Sequence, residues 1–163
     1  MPPGFRRRYG ARVTGDIRVE EVTEPFDGLV AAVGALVRQL SRSSPEPSAA
    51  EVEEIVGSPA CHLLLARDAG GAIVGMLTLA VFRIPTGLRA WIEDVVVDEA
   101  ARGKGVGAAL TRAAIDIAGE RGARTVDLTS RPSREAANRL YQRLGFVERE
   151  TNVYRFEGKG SAG

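Results

Sequence analysis

The sequence predicts a mixed α/β fold, with one central sheet of six to seven strands and about four helices packed on its faces. Two observations lead there. The apolar periodicity switches between two and 3.6 in the order strand, helix, helix, three strands, helix, strand, helix, two strands. The connections are short, with no internal repeat and no linker long enough to divide 163 residues, so a single domain is expected over 16–157. The ends, 1–15 and 158–163, are rich in Gly and read as flexible tails, the first of them basic.

Each element has its own reason. "IRVEEVTE" alternates from Ile17 and reads as a strand. Phe26, Leu29, Val30, Val33, Val37 and Leu40 follow helical spacing, which predicts a helix over Pro25–Ser41. After the loop "SRSSPEPS", Ser48 followed by Glu51 is a capping-box signal for a short helix to Val56. "CHLLLAR" and "AIVGMLTLAVF" are strands joined through the turn "DAGG", with Gly75 marking a bulge or a close backbone approach. "RIPTGLR" reads as a loop. "AWIEDVVV" reads as a strand buried on both faces. A helix follows from Gly105, with Val106, Leu110, Ala113 and Ile117 on one stripe. "RTVDLTS" is a strand, and "SREAANRLYQRLG" is a helix stopped by Gly145. "FVERE" and "TNVYRFE" are expected as two antiparallel strands.

Composition excludes several classes. With 22 basic and 21 acidic side chains there is no case for a nucleic-acid partner. One cysteine, Cys61, forbids an internal disulfide, and with His62 as the only histidine no metal-ligand cluster is expected. No apolar run has the length of a membrane span and the N-terminus lacks a signal-peptide core, so the expected location is the cytoplasm.

The stretch with the most chemical content is "VVVDEAARGKGVGAAL", Val95–Leu110. Gly103, Gly105 and Gly107 fall between a strand and a helix, beside Arg102 and Lys104. Glycine lets backbone N–H groups approach a ligand, and the first N–H groups of a helix lack internal partners and carry its positive dipole end. Together with the two cations they suit a phosphate-bearing ligand; the competing account is a tight turn whose glycines only satisfy backbone geometry. The stretch also fits G-x-G-x-x-A, with Asp127 near the place of a ribose-binding acid. Against a dinucleotide fold stand the intervening "DEAAR" and the mere 56 residues after Gly107. No P-loop pattern is present.

Two further pairs carry chemistry. Glu93 and Asp94 stand together in an otherwise apolar strand, where alternation sends them to opposite faces; burial would raise a carboxyl pKa, and a structural ion pair with an arginine is the plain alternative. Asn138 and Tyr141 lie three apart on a helix and share a side, although periodicity alone makes Tyr141 a core-edge aromatic.

"RGKGVG" resembles the R/Q-x-x-G-x-G/A motif of the GNAT superfamily of N-acetyltransferases, through Arg102, Gly105 and Gly107. "SREAANRLYQRLGF" resembles its second hallmark segment, in the same order and at a fitting separation; the likeness is strongest from Ile73 to Phe156. The resemblance implies a mostly antiparallel mixed sheet whose two parallel strands splay around acetyl-CoA. It implies that the turn Arg102, Gly103, Lys104, Gly105, Val106 and Gly107 holds the diphosphate, while the backbone of Val95, Val96 and Val97, with Asn138 and Tyr141, lines the pantetheine arm. It implies direct attack of an amine on the thioester, with Tyr141 as acid to the leaving thiolate and Glu93 as base to the amine. Cys61 offers no competing nucleophile, since no histidine faces it. Asp94, Arg131, Asn152 and Tyr154 are the expected acceptor contacts. The implied acceptor is a small amine. A protein lysine or N-terminal acceptor, or a non-catalytic acyl-CoA sensor on the same scaffold, are the alternatives; a pure binder needs neither acid nor base. "TNVYRFE", as an apolar edge strand, predicts a homodimer.

Overall fold

The computed structural model describes residues 15–158; the expected tails therefore lie, apart from Gly15 and Gly158, outside the described residues. The chain divides into two compact units between Ser130 and Arg131.

The first unit holds a five-stranded sheet. β1 (Arg18–Glu21), β2 (Cys61–Arg67), β3 (Ile73–Ile84), β4 (Gly87–Val97) and β5 (Thr125–Asp127) lie side by side in chain order. The first four are antiparallel and β5 runs parallel to β4. α1 (Leu29–Leu40) and α2 (Ala49–Gly57) follow β1, and α3 (Val106–Glu120) connects β4 to β5. The expected capping box opens α2: Glu51 N–H donates to Ser48 Oγ at 3.3 Å, and Ser48 N–H donates to Glu51 Oε2 at 2.8 Å. The Ser48 backbone bond holds the Glu51 carboxyl below its usual pKa.

Both sheet faces are covered, by different helices. Leu63, Leu65, Met76 and Val96 form one core with Leu29, Val33 and Leu36 of α1 and Val52 of α2. The alternate residues turn to the opposite face, where α3 lies. Gly75 is the seat of that helix. A Cβ there would come within 2.9 Å of Val106 Cγ1, 3.0 Å of the Val96 carbonyl and 3.2 Å of Leu110 Cδ1. The register also shifts beside it, with Ala66 opposite Gly75 and Arg67 opposite Ile73. Both expectations for Gly75, bulge and close approach, hold.

β4 carries a bulge. Thr78 pairs with Glu93 and Met76 with Val96, so Asp94 and Val95 together face Leu77. Asp94 has φ 50, the left-handed region, which Asp tolerates better than most residues with a side chain.

Four expectations need correction. "FVERE" and "TNVYRFE" form no strand: a strand needs a ladder partner, none pairs with them among the described residues, and Val147, Val153, Tyr154 and Phe156 are exposed. The expected burial of β4 on both faces is interrupted: Ala90 and Ile92 are buried on one face and Val96 on the other, but Glu93 and Asp94 between them are exposed. "RIPTGLR" is mostly strand: Ile84 pairs with Gly87, so β3 and β4 form one hairpin closed by Pro85 and Thr86. Finally, α1 begins at Leu29 because Gly28, at φ 87, caps it.

His62 is buried, with Nδ1 2.7 Å from Glu21 Oε1, while its neighbour Cys61 is half-buried, as alternation requires.

The seat at Gly75 makes a prediction. Gly75→Val should lower unfolding free energy by about 1–3 kcal/mol through overpacking against Val106 and the Val96 carbonyl. Denaturant unfolding measures it, and unchanged stability would mean that α3 is not seated there.

Candidate active site

The site in the first unit starts where two parallel strands part. β4 and β5 pair at Arg89 with Thr125, Ala90 with Val126 and Trp91 with Asp127. Beyond Trp91 no pair joins them among the described residues. β4 runs on through Ile92–Val97, bonded to β3 on one side only. One backbone edge is thus left for a ligand, as the resemblance implied. The side chains there do other work. Val96 is buried in the core under α1, Val97 pairs with Gly75, and Val95 sits in the bulge. Any contact these valines offer a ligand is through their backbone.

The chain then turns through a short 3-10 helix, Glu99–Ala101, capped by Asp98, whose Oδ1 accepts from Ala100 N–H at 2.9 Å. Gln39 of α1 clamps this turn from the side. Its Nε2 donates to Asp98 Oδ2 at 2.9 Å and its Oε1 accepts from Glu99 N–H at 3.0 Å. The Gln39 bond, then the Ala100 bond, holds the Asp98 carboxyl below its usual pKa. Gln39 escaped the sequence reading because nothing local marks a helix-end glutamine as a clamp on a turn 59 residues away.

Gly103 and Gly105 follow, at φ 76 and φ 80. A Cβ at either would meet nothing within 4 Å, in contrast to Gly75. Glycine is needed here for its backbone angle, and the space before it is open. Gly105 caps α3 with no side-chain hydrogen bond, and no acid stands in the first turn. The leading N–H groups of α3, Val106 and Gly107 among them, therefore have no partner inside the helix. Val106 buries its side chain against Gly75, and Thr111 Oγ1 donates to the Gly107 carbonyl at 2.8 Å, which fixes the first turn from inside. Arg102 and Lys104 are exposed beside it, Arg102 with Glu99 at 3.8 Å. An open, uncapped helix start flanked by cations fits the diphosphate of a coenzyme A thioester.

The polar groups of β4 gather near the bulge. Trp91 Nε1 donates to Glu93 Oε1 at 2.8 Å. Asp94 is exposed as a residue, yet desolvation of its carboxyl, then the charge of Glu93, raises its pKa. In register beside them, Arg89 Nη1 donates to Thr125 Oγ1 at 3.0 Å, and Thr125 Oγ1 donates to Asp127 Oδ2 at 3.0 Å. Asp127 belongs to this array and not to a ribose site. Trp91 was missed, although its place two residues before Glu93 in a strand was a usable signal.

The second unit places the remaining expected residues. α4 (Glu135–Arg143) ends in a Schellman motif: Phe146 N–H donates to the Tyr141 carbonyl at 3.0 Å and Gly145 N–H to the Gln142 carbonyl at 3.0 Å, with Gly145 at φ 94. The Phe146 ring meets Tyr141 edge-on at 5.9 Å, the hydrophobic contact this motif favours. Tyr141 is buried, and burial raises its phenol pKa, partly offset by the Arg134 charge. It keeps its proton at neutral pH. Asn138 Nδ2 donates to the Arg131 carbonyl at 3.0 Å, leaving its amide oxygen as acceptor. Arg131, Asn152 and Tyr154 are exposed, the last two joined at 3.3 Å. Among the described residues no group of three or more potential ligands could hold a metal ion, and no helix is long and apolar enough to cross a membrane.

Comparison with known proteins bears on the family and the fold. The sequence model of the Acetyltransferase (GNAT) family matches residues 31–146. Glucosamine 6-phosphate N-acetyltransferase 1 of Oryza sativa subsp. japonica is 35% identical over 126 residues, which cover 72% of this chain and 74% of that protein. N-alpha-acetyltransferase 30 of Schizosaccharomyces pombe is 36% identical over 76 residues, 47% of this chain and 50% of that protein. The structure of AAC(6')-Iy, in complex with the bisubstrate analog CoA-S-monomethyl-acetylneamine, superposes with a TM-score of 0.71 over 88% of this chain and 99% of that one; at 18% identity it bears on the fold alone.

Two predictions follow from the local geometry. Gly105→Val should cost about 1–2 kcal/mol of stability from its backbone angle. Gly122→Val, at φ 79 with the same open surroundings, should cost a similar amount. Only the first should weaken acetyl-CoA binding by calorimetry; equal affinities would mean that the turn is not the cradle. Separately, because the folded pKa of Asp94 is raised, its stabilising contribution is present below the unfolded pKa and lost as pH rises through the folded one. Asp94→Asn should therefore raise the melting temperature at pH 7 and lose that advantage near pH 3. A shift equal at both pH values would refute the charge account.

Proposed function

The chain belongs to the GNAT family of acetyltransferases, and from that premise we propose that it moves an acetyl group from acetyl-CoA to a primary amine of a small molecule by direct attack on the thioester. As a member of that family it is an acetyl-CoA-dependent N-acetyltransferase. The observation that carries the proposal is the open β4 edge leading straight into an uncapped, cation-flanked helix start.

The two curated relatives bear names that point to different acceptors, an amino-sugar phosphate and a protein N-terminus. The first match covers 72% of the chain and the second 47%, and this supports the small amine. A pair of residues suited to acid and base work supports an enzyme over a mere acyl-CoA sensor.

When bound, acetyl-CoA supplies an activated acyl carbon and a thiolate leaving group. The chain's own groups do the rest. N–H groups from Arg102 to Gly107, with the Arg102 and Lys104 charges, hold the anionic end. The free edge of Val95–Val97 and the amide oxygen of Asn138 take the arm's polar groups. Glu93 receives the amine proton at a carboxylate oxygen, directly or through water. Tyr141 Oη carries a proton that burial keeps in place at neutral pH, and it gives that proton to the sulfur. Asp94, Arg131, Asn152 and Tyr154 remain the candidate acceptor contacts. The cytoplasm is the proposed location. A second copy is the proposed partner, supported by the exposed apolar side chains between Val147 and Phe156.

The roles are tested by pH–rate profiles, once a panel of amines scored by thiol release has given an acceptor. Tyr141→Phe should lower kcat by ~10²-fold or more. Acetyl-CoA affinity should barely change, since the hydroxyl matters mainly as sulfur departs. Glu93→Gln should remove the acidic limb and not merely scale the curve down. Near-normal turnover by Tyr141→Phe across the pH range would leave it a packing residue.

A further inference from the structure

Glu93 is exposed at the edge of the cover that α1 gives the sheet, and a carboxylate there is free to sample several rotamers. A general base has to be aimed, because small misplacements of a reacting group cost large factors in rate. Something on the same face must hold it.

Trp91 is placed to do so. It lies two residues earlier on β4, on the same face, and its Nε1–H donates to Glu93 Oε1 at 2.8 Å. The ring has a fixed setting. In register it has Ala80 of β3 on one side and Asp127 of β5 on the other, at the last pair before the two parallel strands part. The indole is planar, half-buried and stiffer than the glutamate it holds. An indole N–H is a donor only, so this contact has one polarity: it uses one carboxylate oxygen and leaves Oε2 with its acceptor capacity.

We propose that Trp91 is the positioning residue for Glu93, fixing Oε1 so that Oε2 is presented at the opening between β4 and β5. The proposal rests on the reading of Glu93 as the base. In the step it serves, an N–H bond of the attacking amine breaks, its electron pair stays on nitrogen, and the proton forms an O–H bond at Oε2. Trp91 itself exchanges no proton. Glu93 stands immediately before the bulge, where the alternation set by Trp91 is still intact, whereas past Asp94 it is not.

The chain has one tryptophan, so its indole N–H gives a single nitrogen–proton cross-peak in NMR. Glu93→Gln should move that peak, and an unmoved peak would overturn the contact whatever the enzyme does. The kinetic test is a double-mutant cycle on the folded full chain. Trp91→Phe keeps a ring and removes the donor; it should lower kcat roughly 10- to 100-fold with the KM for acetyl-CoA unchanged. In a Glu93→Gln background the same change should have little further effect, because its route is gone. An equal loss in both backgrounds would make Trp91 a packing residue and overturn the proposal, with the base assignment left standing. Near-normal turnover by Glu93→Gln alone overturns the base assignment and this proposal with it, and the two failures are thus told apart.

Discussion

One extra residue in β4 sets the positions of everything around it. In an unbroken strand, residues 93 and 96 would face opposite sides of the sheet. The bulge at Asp94 and Val95 puts Glu93 and Val96 on the same side, opposite Thr78 and Met76. Val96 lies under α1 and Glu93 lies beyond its cover. The left-handed angle at Asp94 costs up to about 1–2 kcal/mol, less for Asp than for a branched residue. Burying Val96 contributes about 1.5–3 kcal/mol. The packing of Val96 is thus of a size to offset the backbone strain. A bulge also bends its strand and increases the local twist, which is the physical reason for β4 to leave β5 just upstream.

The second constraint is how α3 is held. Its N-terminus carries N–H groups with no partner inside the helix, so how firmly the helix is held sets where those groups stand. Gly75 lets Val106 and Leu110 approach the sheet more closely than any side chain there would permit. Gln39 then fixes the preceding turn through both ends of its amide. The glycines at 103 and 105 are thus flexible residues in a rigid frame, fastened by side chains before and after them. Neither fastening uses the N–H groups at the start of α3, which stay available.

Much of this could be read from the chain, and the pattern of success is instructive. Ser48 with Glu51, Gly145 and the glycine turn from Arg102 to Gly107 are legible because each needs only local backbone rules, and Gly75 is legible because a glycine inside a strand has few other uses. β2 came out residue for residue because its apolar run is bounded by clear breakers. The misses share another cause. Glu93 stands in a strand of mostly apolar residues, which suggests burial, but where α1 stops covering the sheet is a tertiary fact. "TNVYRFE" has strand propensity, and propensity cannot supply a partner. The clamp by Gln39 and the chain from Arg89 through Thr125 to Asp127 join residues far apart in sequence. The bulge itself leaves no sign beyond an Asp in an apolar strand, a residue that is both a chemical group and a backbone device.

Charge is where the same stretch does two opposite things. Arg102 and Lys104 attract anions at one end of it, while Glu93 and Asp94 hold negative charge at the other. At ~3.3 Å per residue, Glu93 to Val97 alone spans roughly 13 Å, longer than the Debye length of about 8 Å in physiological salt. The cations are accordingly too far away to relieve the carboxylates. Asp94 bears this out: its pKa is raised by desolvation and by Glu93, with no cation among the causes. The cations of the turn stand beside acids of their own, Asp98 and Glu99, with Arg102 3.8 Å from Glu99. The two ends of the stretch therefore offer different chemistry, carboxylates on the strand and cations on the turn.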